Sequence, residues 1–262
     1  MKITVLVDNN TFIDNYYLGE PGLSFYIEED NKKILFDTGY SDIYLKNAKS
    51  LNIELNNLDY LVLSHGHNDH TGGLQYISQI NTSNTTLIAH PGVFEKRSHN
   101  GLQIGCPINL KDLKIKEYID GTNTYQITEN LFYLGQIEKT NGFENRTIGE
   151  LENGEKDSVK DDSALVYKGK NGLFIICACA HSGICNIIEY AKNVTNENKI
   201  DGIIGGFHLL NNDSQLDETI KYFEKEKIND LYPCHCVSLY AKTKMMTTSK
   251  VHEVGVGLQL SI

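Results

Sequence analysis

Residues 64–73 read Ser64-His65-Gly66-His67-Asn68-Asp69-His70-Thr71-Gly72-Gly73, between the apolar run 60–63 and the apolar Leu74. The stretch reads as a turn from a strand into a helix, with three imidazoles and a carboxylate close together. Neutral imidazole nitrogen and carboxylate oxygen are the donors that borderline and hard divalent cations accept. If the chain stays extended through Gly66, His65 and His67 point to the same side, whereas Asp69 and His70 are adjacent and aim differently. That arrangement predicts two neighbouring cation positions rather than one. Gly66 and the Gly72-Gly73 pair let the backbone turn tightly enough for the donors to converge. A histidine-rich surface tract has neither a strand before it nor a glycine turn after it, so the pattern argues against a surface tract.

Outward from this turn, β-rich runs separated by turn residues occupy 3–7, 23–27, 33–36, 60–63 and 86–89, and helix-compatible spacing covers 42–51 and 74–80. The C-terminal part repeats the texture, with strands expected at 164–167, 173–177, 202–204 and 230–232 and helices at 184–193 and 216–226. Interleaved strands and helices make this an α/β chain, expected to form one domain over 1–262. Two strand-and-helix halves around a different middle suggest a pseudo-duplicated pair of sheets covered by helices, although no residue-level repeat is visible. Residues 136–162 are polar and follow neither period, which reads as a surface excursion or a lid.

Composition narrows the function classes. Apolar residues are 40% of the chain and charged ones 22%, the balance of an ordinary soluble protein rather than a disordered or membrane one. A formal charge of -10 with no run of Lys and Arg repels polyphosphate, so nucleic acid is not expected as a partner. A bound cation can still draw in a small anionic molecule, which is the partner expected here. Residues 1–7 are too short an apolar run for a signal-peptide core or a membrane span, and the reading is a cytosolic protein with its six cysteines reduced.

One loop cannot close a centre of two cations, so further donors must come from elsewhere: His90, Asp161, Asp162, Cys179, His181, His208 and His235 are the candidates. His181, His208 and His235 each follow an apolar run, and strand ends give ligands rigid supports. The Cys177/Cys179 and Cys234/Cys236 pairs are spaced too closely for structural zinc, and alternation along an extended strand would turn both Cys234 and Cys236 away from where His235 points. They read as packed thiols.

The H-x-H-x-D-H order resembles the signature of the metallo-β-lactamase superfamily, and this resemblance implies an αββα sandwich with a metal site at one edge of its two sheets. Leu35-Phe36-Asp37-Thr38-Gly39 resembles that family's apolar strand ending in Asp-Thr-Gly, which implies that Asp37 takes the free N–H of a metal-bound histidine. The family's last histidine follows a late strand, as His235 does. Its bridging ligand follows an earlier strand, near Cys179 and His181. There the chain departs from the family: an aspartate after a glycine is usual, and Cys177-Ala178-Cys179-Ala180-His181 stands instead. Matching donor hardness favours His181 over Cys179.

The expected ligands are therefore His65, His67, Asp69, His70, His181 and His235, around two divalent ions, zinc first and manganese or iron as alternatives. Asp69 is expected to take a proton in catalysis, and His208, with His90 behind it, to contact the substrate anion.

Further stretches are similar to one branch, the 7,8-dihydropterin-6-yl-methyl-4-(β-D-ribofuranosyl)aminobenzene 5'-phosphate synthases. They are Gly22-Leu23-Ser24-Phe25, His90-Pro91, Asp161-Asp162, Cys179-Ala180-His181-Ser182-Gly183 with Asn186-Ile187, Gly205-Gly206-Phe207-His208-Leu209, and His235-Cys236. Pro21 stands where the branch has a histidine, and Val237-Ser238 where it has Thr-Gly. The implied reaction joins a pterin diphosphate to an aryl amine with loss of diphosphate. Hydrolysis of a phosphoryl, acyl or lactone centre is the alternative chemistry, and a di-iron redox protein or a non-catalytic ligand sensor are the other classes the same pattern admits.

Overall fold

Runs of β-branched and aromatic residues set the strands, and the computed structural model, which describes residues 1–228 and 230–262, groups them into two units, each with its own seven-stranded mixed sheet. The first unit comprises Met1–Thr122, Thr147–Asp157 and Val254–Ile262, and the second Asn123–Arg146 and Ser158–Glu253.

In the first unit the strand order is Gln259–Ser261, Lys2–Val7, Ser24–Glu29, Lys32–Phe36, Tyr60–Val62, Thr86–Ala89 and Glu117–Asp120. Pairing is antiparallel as far as Lys32–Phe36 and parallel beyond it. Parallel strands sit under cover on both faces, which is why Ile34-Leu35-Phe36, Leu61-Val62 and Leu87-Ile88 are continuous apolar runs, all fully buried. The helix Ile43–Ser50 contributes Tyr44 and Ala48 to the cluster around Leu35, Leu61 and Leu87. Because the parallel strands share a direction, their carboxyl ends open along one edge, and Asp37, residues 64–70 and His90 follow directly from three of them.

The second unit repeats the plan. Its order is Lys250–Val251, Asp230–Pro233, Ile200–Gly205, Gly172–Cys177, Ala164–Gly169, Leu131–Tyr133 and Tyr125–Gln126, parallel as far as Gly172–Cys177 and antiparallel beyond. In each unit a hairpin feeds a run of parallel strands, as the duplicated texture of the sequence suggests. Parallel neighbours need a crossover, and the helices Ile184–Thr195 and Ser214–Glu226 supply it. Their apolar stripes, including Ile187, Ile188, Ala191, Leu216, Ile220 and Phe223, pack on Ile175 and Ile203. Each Ile, Leu or Phe among them contributes about 1.5–3 kcal/mol by leaving water.

Several elements differ from the sequence reading, among them the strands Glu117–Asp120, Leu131–Tyr133 and Gln259–Ser261, which the sequence reading does not mark. The segment expected as a helix at 74–80 is a tight 3-10 turn over Gly72–Gln79, and a helix that periodicity did not mark spans Leu239–Met245. No helix among the described residues is long and apolar enough to cross a membrane.

Residues 136–162 are tied down by side chains rather than by periodic packing. Glu144 is buried, and its carboxylate accepts from the backbone N–H groups of Cys185 and Asn186 at 3.0 and 3.1 Å, capping the first turn of Ile184–Thr195. Glu150–Leu151 adds a strand to Arg97–His99, and the buried Arg97 meets the buried Asp157 at 3.1 Å while donating to the Gly92 carbonyl at 2.6 Å. Removing one partner of such a pair leaves an uncompensated charge in the interior. Asp157→Ala should therefore lower unfolding stability by about 3–5 kcal/mol in urea titration, and a loss below the error of the fit would show that the pair does not anchor this segment.

Candidate metal centre

In the first unit the site grows from the end of Lys32–Phe36. Asp37 takes a left-handed φ of 59°, held by its N–H on the Val62 carbonyl at 2.9 Å, so its fully buried carboxylate turns towards the next strand end. It accepts three hydrogen bonds: from the Ser64 N–H at 2.8 Å, from Ser64 Oγ at 2.7 Å and from His70 Nδ1 at 2.8 Å. A carboxylate only accepts, so His70 carries its proton on Nδ1 and presents a lone pair at Nε2. Ser64 spends its hydroxyl proton on Asp37, so its oxygen accepts from His65 Nδ1 at 2.8 Å, and His65 is likewise left with its lone pair at Nε2.

Those lone pairs have neighbours suited to a cation. His65 Nε2 lies 3.0 Å from His67 Nδ1, and His70 Nε2 lies 3.7 Å from an Asp69 carboxylate oxygen. Ligand bonds of about 2.0–2.1 Å in a tetrahedral shell put two nitrogens roughly 3.3 Å apart, so both spacings suit shared ligation. His65 and His67 face each other, as extended spacing through Gly66 suggests. The loop is clamped onto the preceding strand end: Thr38 donates to the His70 carbonyl through both its N–H, at 2.8 Å, and its Oγ1, at 3.0 Å. This approach needs glycine at 73, where a Cβ would come within 2.2 Å of the Thr38 carbonyl oxygen. His90, a candidate for substrate contact, accepts from the Gly92 N–H through Nδ1 at 3.0 Å and caps its own turn.

In the second unit three adjacent parallel strands, Gly172–Cys177, Ile200–Gly205 and Asp230–Pro233, end along one edge. Cys179 and His181, His208, and His235 with Cys236 follow from those ends in turn. The strand stops at Cys177 and Ala180 turns left-handed at φ 53°, so Cys179 and His181 do not lie along one extended strand. Cys179 and His235 have donor atoms within 4.8 Å of each other, and the His181 and His208 rings stand 4.7 Å apart. Asp162 is fully buried and accepts from the Ser182 N–H at 2.7 Å, while its Oδ1 has no hydrogen-bond partner among the described residues. Burial pushes this carboxyl up to about 7, against the pull of the bonds from Ser182.

The cysteines are not all inert packing. Cys177 and Cys234 are buried, and burial pushes the Cys177 thiol well up. Cys179 and Cys236 meet instead, with their sulfurs 3.4 Å apart. Burial opposes ionisation of Cys236, but hydrogen bonds from Cys179 and His208 and the nearby imidazoles of His235 and His208 outweigh it and hold the thiol well below its ordinary range. Alternation hid this contact, because the chain leaves the strand at Pro233 and His235 is left-handed at φ 51°.

The family model for the metallo-beta-lactamase superfamily matches residues 18–103. An uncharacterised protein of Methanocaldococcus jannaschii is 34% identical, covering 93% of this chain and 93% of its own. A second protein of that organism, named 7,8-dihydropterin-6-methyl-4-(beta-D-ribofuranosyl)-aminobenzene-5'-phosphate synthase, is 31% identical over 95% of this chain and 92% of its own. Among solved structures, a metal-dependent hydrolase of the beta-lactamase superfamily superposes with a TM-score of 0.85 at 28% identity, covering 100% of this chain and 99% of that one.

Asp37→Asn isolates the carboxylate's role. The amide keeps an acceptor for the Ser64 N–H but can offer His70 Nδ1 an N–H in place of a lone pair, which drives His70 to the tautomer protonated on Nε2. Divalent-metal affinity, read by chelator competition, should fall about 10–100-fold; unchanged affinity would contradict this account of the relay.

Proposed function

The chain belongs to the metallo-β-lactamase superfamily, and from that premise we propose that it is a metal-dependent enzyme acting on a small anionic substrate that carries a phosphate or diphosphate. The proposed ligands are His65, His67, Asp69, His70, His181 and His235, holding two divalent ions, zinc first and manganese or iron as alternatives. One observation carries the reading: Asp37 directly leaves His70 with its Nε2 lone pair turned to Asp69, and through Ser64 leaves His65 with its Nε2 lone pair turned to His67. Imidazoles fixed in that state are ligands in waiting rather than general hydrogen-bonding groups.

A divalent ion bound there would polarise a phosphoryl oxygen and make a coordinated water acidic. The chain's own groups supply the rest. The Asp69 side chain is 31% exposed while that of His70 is fully buried, so Asp69 is the member of the pair that can exchange a proton with substrate or solvent. His65 and His70 are held in position by the bonds from their Nδ1 to Ser64 and Asp37.

Likeness to the synthase-named relative favours group transfer: an aryl amine displaces diphosphate from a pterin, the carbon–nitrogen bond forms as the carbon–oxygen bond breaks, and the amine proton passes to Asp69. Likeness to the solved hydrolase favours a second reading, in which water is the nucleophile. Isotopically labelled water separates them, since only hydrolysis leaves label in the product.

Chelation should abolish turnover of phosphorylated or diphosphorylated substrates and zinc or manganese should restore it, while Asp69→Asn should lower kcat by about 10²–10⁴-fold. Turnover that survives both treatments would refute a metal-dependent reaction.

A further inference from the structure

Cys179, His208 and Cys236 are absent from the ligand set proposed above, yet their donor atoms lie within 4.8 Å of one another. We propose that these three residues form a sulfur-rich cation site that takes a borderline or soft divalent ion of the zinc class, with a ligand set separate from the histidine and aspartate centre.

Four observations support the site. The two sulfurs stand 3.4 Å apart, close to the roughly 3.8 Å edge of a tetrahedron with metal–sulfur bonds of about 2.3 Å. One ring nitrogen of His208 lies within 4.8 Å of both sulfurs, and its buried Nδ1 has no hydrogen-bond partner among the described residues. The His208 backbone N–H donates to Cys236 Sγ at 3.3 Å, the kind of bond that supports a metal-bound thiolate. Finally, the backbone is cut to fit the sulfur: a Cβ on Gly206 would come within 2.5 Å of Cys236 Sγ and 2.4 Å of the Ala178 carbonyl oxygen.

The supports are rigid. The donors follow three neighbouring parallel strands, and the bridge between Leu209 and Val237 continues the pairing just past His208 and Cys236. His208 holds a left-handed φ of 49°, which directs the residue away from the line of its strand. Two thiolates and one imidazole select a softer ion than a site of imidazoles and carboxylates does. Each thiol that binds gives its proton to solvent, and three protein donors leave a four-coordinate ion one position for water or substrate.

Cobalt(II) replacement in the full chain, kept reduced, tests the site through the thiolate-to-cobalt charge-transfer absorption and the cobalt-to-protein ratio. Wild-type protein should show the band. Cys236→Ser should lose the band and one equivalent of cobalt, and Cys179→Ser, at a different strand end, should show the same loss. His67→Ala, aimed at the other centre, should lower the cobalt ratio but retain the band, so failure of that centre reads differently from failure of this one. The proposal is overturned if wild-type protein shows no thiolate band, if the band survives Cys236→Ser, or if thiol titration of protein isolated under reducing conditions finds Cys179 and Cys236 joined as a disulfide.

Discussion

The carboxylate of Asp37 is the constraint on which the first unit's chemistry depends. A buried carboxylate is tolerable only when its oxygens are bonded, and three donors meet that demand. The same bonds decide which nitrogen of two imidazoles carries the proton, one by direct contact and one through the Ser64 hydroxyl. Stability and ligand chemistry are thus set by one group. The left-handed backbone at Asp37 is part of the device: an extended residue there would continue the strand and carry the carboxylate away from Ser64 and His70.

The second unit uses the same device at other strand ends. Ala180, His208 and His235 are all left-handed, at φ 53°, 49° and 51°, each a few residues beyond a parallel strand. A chain that must leave a buried strand and present a side chain at its edge has few residues in which to turn, and this conformation turns it fastest. It costs non-glycine residues energy, so its repetition at two donors, His208 and His235, and at Ala180 between Cys179 and His181 marks where the fold gives up backbone comfort for placement. The shared plan, a hairpin followed by parallel strands, explains why donors appear at equivalent strand ends in both units.

Much of this was legible in the sequence. The H-x-H-x-D-H turn and the common side of His65 and His67 follow from spacing and donor type, the role of Asp37 from the family resemblance, and the main strands from apolar runs. Three features were not. The Ser64 relay depends on a hydroxyl proton whose direction no pattern encodes. The meeting of Cys179 with Cys236 was hidden because alternation was carried past Cys177 and Pro233, where the strands have ended. The order of residues 136–162 comes from Glu144, Arg97 and Asp157, whose bonds to distant backbone and side chains have no period to detect.

Anomalous X-ray scattering from zinc-loaded crystals tests the central claim most directly. The account predicts metal peaks about 2.0–2.2 Å from the side-chain donors of His65, His67, Asp69 and His70, with His70 still bonded to Asp37 through Nδ1. Zinc-loaded crystals with no peak at these side chains, and with His65 still bonded to His67, would contradict it.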